Sequence, residues 1–201
     1  MARPRTNDDS VKERLVEAAT ELFATRPLES ITVRALASAA GTATAAVYTL
    51  FGSKDALIEE VRTRAVAGLF DGLSAVPVTD DPLADLYALA AAYRKWGRTH
   101  PHLYMVLFGG VKTFDPSGMP GPRDPIRLLL DAIDRAVAAI VLAGETKSIA
   151  LSFWATLHGV VTLELAGALD TAVGEVAFHA AIPAALRGWA PAMPSPGPQA
   201  P

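Results

Sequence analysis

Between Gly41 and Leu57 the chain reads GTATAAVYTLFGSKDAL. Side chains there able to make specific polar contacts include Thr42, Thr44, Tyr48, Thr49, Ser53 and Lys54. No nucleophile stands beside a base, so the chemistry on offer is recognition, not bond-making. Threonine hydroxyls can bond bases or phosphates, and threonine and alanine methyls suit the methyl group of thymine. Tyr48 and Lys54 suit phosphates at a helix end and at the next helix start. The segment is too small and polar for a core helix and too regular for a linker. It predicts a short helix near 43–50, bracketed by Gly41 and Gly52 and thin enough to enter a DNA groove. A plain helical hairpin, whose small residues let two helices pack closely, would use the same composition.

The elements that must position this helix are legible on either side. SVKERLVEAATELFATR places Val11, Leu15, Ala18, Ala19, Leu22 and Phe23 on one stripe, with Ser10 able to cap it and Pro27 ending it. ITVRALASAAG predicts a second, short helix. Thr32 is its N-cap, Ile31 and Leu36 have the spacing of a hydrophobic staple, and Gly41 is its stop. The tight turn at Gly41 makes a helix-turn-helix, whose second helix would enter the major groove. As caps, Thr32 and Ser53 present backbone N–H groups that also suit phosphates. Arg34 could bond a phosphate or stay solvated; Phe51 reads as core.

Three pieces, AATELFA, ITVRALASAAG and VYTLFGSKDAL, together resemble the N-terminal domain of the TetR family of transcriptional regulators over residues 10–57. Order, spacing and helix lengths agree at once. Ala43-Thr44, Ala45-Ala46 and Thr49-Leu50 depart from the family pattern, which often carries hydrogen-bonding or cationic groups there, so the resemblance does not carry over the family's operator preference or affinity. The resemblance implies an all-α protein: a three-helix helix-turn-helix domain followed by a larger helical domain for ligand binding and dimerisation. In FWATLHGVVTLELAG, Trp154, His158 and Gly159 resemble the Trp-His-Gly group of TetR C-terminal domains, over roughly residues 80–190. That implies a dimeric, ligand-responsive regulator and names no ligand.

Read from its own residues, the second part is also helical. Helices are expected near 53–73, 81–98 (with Leu86, Leu89, Tyr93 and Trp96 in one stripe), 101–108, 126–142, 146–168 and 173–188, with Pro183 interrupting the last. The helix near 146–168 is apolar on two sides, as for a helix buried on two sides. Tyr93, Trp96, Tyr104, Phe108, Trp154 and His158 are the candidate effector contacts. Aromatic walls with a few polar tips describe an apolar pocket and equally describe a core. His158 could orient a ligand or bond a backbone carbonyl, and Gly159 would permit close helix approach. Arg94, Lys95 and Arg98 lie off the apolar stripe and are expected at the surface. Inward charge then looks scarce, and the effector is expected to be apolar or weakly polar.

The expected organisation is a disordered basic arm at 1–9, the helix-turn-helix domain at 10–57, the ligand and dimer domain at 58–189, and a disordered Pro-rich tail at 190–201. The 201 residues include no cysteine, which excludes disulfides and thiolate sites and fits a cytoplasmic location. A net charge of −3 argues against nonspecific coating of nucleic acid, yet leaves room for a small DNA-reading face. MARPRTNDDS lacks the apolar run of a signal peptide, and no membrane span is expected. His100-Pro101-His102 points two rings in unlike directions without a carboxylate at ligand spacing. No catalytic residue, cofactor or metal is expected. The expected partners are double-stranded DNA with a palindromic operator, a small effector and a second copy of the chain. A helical enzyme or ligand carrier whose hairpin does not bind DNA is the competing reading.

Overall fold

The computed structural model describes residues 5–26, 30–108 and 123–192. Among them all regular structure is helical: α1 Arg5–Thr25, α2 Val33–Ala39, α3 Thr44–Phe51, α4 Lys54–Ser74, α5 Pro82–Thr99, α6 Pro101–Phe108, α7 Pro125–Ala138, α8 Thr146–Leu165 and α9 Thr171–Arg187. Pro27, most of the Gly/Pro-rich loop after Phe108 and most of the Pro-rich tail lie outside the described residues. The chain divides into two compact units, Met1–Asp71 with Trp96–Met119, and Gly72–Lys95 with Pro120–Pro201. The first unit reaches past the Leu57 boundary expected from the sequence, because Leu57, Val61 and Val106 join the core beneath α1, α2 and α3.

In the first unit, α1 packs on α2, α3 and α6. The stripe expected on α1 is the one buried: Leu15 and Ala19 are fully enclosed and Val11, Ala18 and Phe23 nearly so. α1 starts earlier than expected. Residues 5–9, assigned to a disordered arm, are helical, and Ser10 lies inside the helix, where its carbonyl and hydroxyl face Arg14 Nη1. Asp8 in the first turn meets the positive end of the helix dipole, which favours the longer helix.

In the second unit, α8 packs on α7 and α9. Its core holds Leu86, Ile133, Ile149, Phe153, Val161, Phe178 and Ile182. Two helices stop before their apolar patterns do. α7 ends at Ala138, not Leu142, and turns at Ile140 with φ 58°; Ile140 N–H bonds Val137 O and Val141 N–H bonds Ala136 O. Burial of Leu142 and a bond from Ala143 N–H to Trp189 O hold that unusual turn. α8 ends at Leu165, not Ala168, because Gly167 at φ 71° closes the same two-bond cap onto Leu163 O and Glu164 O. α9 runs through Pro183 without a break, losing only the N–H that would reach one turn back.

Candidate nucleic-acid interface and effector site

The turn between α2 and α3 is built as its sequence requires. Thr32 caps α2, its Oγ1 accepting Ala35 N–H at 3.1 Å. At the other end Gly41 adopts φ 61°, a conformation costly for a residue with a Cβ. Gly41 N–H bonds Ser38 O at 3.2 Å and Thr42 N–H bonds Ala37 O at 2.8 Å, which ends α2 in a two-bond Schellman cap. Arg14 Nε bonds Ala40 O at 3.2 Å and ties this turn to α1. Gly52, at φ 81°, ends α3, and Ser53 Oγ caps α4 through Ala56 N–H at 3.0 Å.

α3 is therefore fixed at both ends and buries one side only. Val47 is fully enclosed, with Ala46, Leu50 and Phe51 packed beside it. Thr44, Ala45, Tyr48 and Thr49 are exposed along the opposite face, a spacing of i, i+1, i+4 and i+5. Tyr48 is 57% exposed. Thr32, Arg34 and Ser53 are exposed as well, and Thr42 is half-buried. Ala45 is not among the DNA contacts expected from the sequence; the helical spacing from Thr44 and Thr49 is the signal that finds it. Lys54 has a second role: its Nζ donates to Ile31 O at 2.7 Å, pinning the start of α4 to the residue before the α2 cap.

The effector candidates fall in separate places. In the second unit Tyr93 Oη lies 3.2 Å from His158 Nδ1, and Trp154 stacks on the His158 ring at 4.9 Å. His158 Nε2 lies 3.4 Å from Thr162 Oγ1. His158 thus meets two hydroxyls, and burial lowers its pKa below 6.5. In the first unit Trp96 stacks on His100 at 5.4 Å, and Tyr104 and Phe108 meet at 4.7 Å between ring centres. Gly159 is not wedged against a neighbour; an added Cβ would meet nothing within 4 Å.

The expectation that Arg94 faces solvent is wrong. Arg94 is buried, while Lys95 and Arg98 are exposed as expected. Its Nε and Nη2 bind both oxygens of Glu164 at 3.0 and 2.6 Å, and Nη1 binds Glu175 at 2.6 Å. The guanidinium also lies 4.9 Å above the Phe178 ring. Glu164, then Glu175, hold the cation well above its usual pKa. Gly174 leaves room for this pair, since a Cβ there would overlap the Glu164 side chain. Glu175 continues to His179 at 2.8 Å, and His179 Nδ1 meets Tyr87 Oη. A second ion pair joins Asp85 to Arg135 at 2.7 Å, with Thr79 Oγ1 donating to Asp85 at 2.7 Å.

Two family models match the chain. Residues 15–61 match the bacterial regulatory proteins of the tetR family, and residues 86–194 match the tetracyclin repressor-like C-terminal domain. An uncharacterized HTH-type transcriptional regulator of Mycobacterium tuberculosis is 30% identical over 168 residues, covering 79% of this chain and 72% of that protein. A protein of unknown function from Rhodococcus sp. RHA1 superposes with a TM-score of 0.70 at 25% identity, covering 90% of this chain and 96% of the other. The TetR family transcriptional regulator PfmR of Thermus thermophilus shares the fold, with a TM-score of 0.68, 22% identity, and coverage of 87% and 97%. The capped helix-turn-helix, the helical second unit and these matches agree: the chain belongs to the TetR family of bacterial transcriptional regulators.

Proposed function

We propose that this regulator is a cytoplasmic homodimeric repressor that binds a palindromic operator and leaves it when a small, largely apolar effector binds the second unit. The observation that carries the operator reading is the exposed face of α3, fixed between two capped turns. Thr44, Tyr48 and Thr49 face the half-site; Thr32, Arg34, Thr42, Ser53 and Lys54 flank it as contacts to phosphate. Half-sites about 34–36 Å apart, or a multiple, would match a two-fold dimer.

The dimer reading rests on α8 and α9. Leu151 and Leu163 on α8, and Val173 and Val176 on α9, are exposed apolar residues. By length and composition α8 could cross a membrane, and only a third of its most apolar window is buried. Glu164 in its last turn is ion-paired to Arg94, and the family is one of DNA-binding regulators. Both support cover by a second copy, forming a four-helix contact.

The effector reading rests on Tyr93, Trp154 and His158, the candidates that lie together in the second unit. The buried charges of the second unit already face opposite charges. A multiply charged ligand would lose hydration with few partners to offset the loss. The effector must bind the DNA-incompetent state better than the competent one, or nothing shifts. Selection of genomic fragments on the immobilised protein, followed by operator release in a panel of apolar and charged compounds, tests the whole reading. A unique palindrome released by apolar compounds is the expected result. Failure to enrich any sequence, or release only by a polyanion or metal ion, would overturn it.

A further inference from the structure

The outward face of α3 supports a narrower statement, which rests on the operator reading above. Thr44, Ala45, Tyr48 and Thr49 point away from the core. None bears an amide, guanidinium, ammonium or carboxylate, the groups that pair in bidentate fashion with guanine or adenine or accept from cytosine in the major groove. The Thr49 hydroxyl donates back to Ala45 O at 2.9 Å, so its proton is directed at the helix backbone. Methyl groups at 44, 45 and 49, the hydroxyls of Thr44 and Tyr48 and the accepting oxygen of Thr49 are what this face offers to the half-site.

We propose that α3 reads its half-site chiefly through thymine C5-methyl groups, with Thr44, Ala45 and Thr49 as their apolar receptor. From Thr44 to Thr49 the helix rises about 7.5 Å, at 1.5 Å per residue. That spans about two base-pair steps of 3.4 Å, so two or three adjacent T·A pairs fall under the face. Burying one methyl changes binding by about fourfold. The half-site is set by where methyls stand, and phosphate contacts fix its register.

The test uses the full chain and the operator it selects from random duplex DNA. Deoxyuridine, which lacks the C5-methyl, replaces thymine one position at a time. Two or three positions per half-site should each lose about fourfold in affinity, with uracil elsewhere in the duplex neutral. On the protein side, T44S and T49S keep the hydroxyl and remove the methyl. Each should weaken binding to the thymine operator by more than it weakens binding to the matching uracil operator. Equal affinity for the thymine and uracil operators would overturn the methyl reading while leaving operator binding intact, as would a selected half-site without adjacent T·A pairs. If no sequence is enriched, the operator reading itself fails and this one with it. If a serine variant melts lower, the base substitutions on the native protein still decide.

Discussion

Arg94 offers the sharpest test of how the second unit holds together. Its side chain and that of Glu164 are 8% and 7% exposed, whereas Glu175 is 52% exposed. R94M strips the buried Glu164 carboxylate of both its bonds to the guanidinium and should cost about 3–5 kcal/mol, the usual penalty for orphaning a buried charge. E164L is milder, because Arg94 keeps Glu175 at 2.6 Å. E175Q removes a partner that water already reaches and should cost about 1 kcal/mol or less. The double variant R94M/E164L has no orphaned charge at the pair. It should be more stable than R94M alone, with a coupling of about 3 kcal/mol. Urea denaturation followed by circular dichroism, at one fixed protomer concentration, measures all four. The reasoning fails if R94M loses less than about 1 kcal/mol, or if the double variant loses the sum of the two single changes.

Four further outcomes are expected. G174A places a Cβ within 2.9 Å of Glu164 Cδ and Cγ, so melting should show a loss on the order of 1–3 kcal/mol. Y48F should weaken operator binding by about 1 kcal/mol with an unchanged melting curve, since Tyr48 lies mostly outside the fold; equal affinity for the operator would remove Tyr48 from the interface. V176D should convert the dimer to monomer in sedimentation, because an exposed apolar residue of α9 would become an unpaired charge in the contact; an intact dimer would move the contact elsewhere. Burial keeps the His158 pKa below 6.5, so the unfolded chain takes up this proton first as pH falls. Stability from His158 is present above pH 6.5 and declines below it, until the folded pKa is passed. The stability difference between the native chain and H158Q should therefore narrow from pH 8 to pH 5.5.

The sequence determined what depends on near neighbours. The stripe Val11, Leu15, Ala19 and Phe23, the Thr32 cap, the Gly41 stop and the exposed polar side of α3 each follow from residues within a turn or two, and all are found in the fold. Local signals also misled where a distant contact prevailed. The apolar run through Leu142 continues the α7 pattern, yet the helix stops at Ala138 because Leu142 is buried and Ala143 bonds Trp189. Arg94 looked solvent-facing because its position one step off the Leu89–Tyr93–Trp96 stripe says nothing about carboxylates 70 and 81 residues away. Nor could the sequence show that His158 meets the Tyr93 hydroxyl, which comes from another helix. Period and capping set which face of a helix turns inward, whereas pairing of a buried charge depends on which helices become neighbours. Only the tertiary structure decided that.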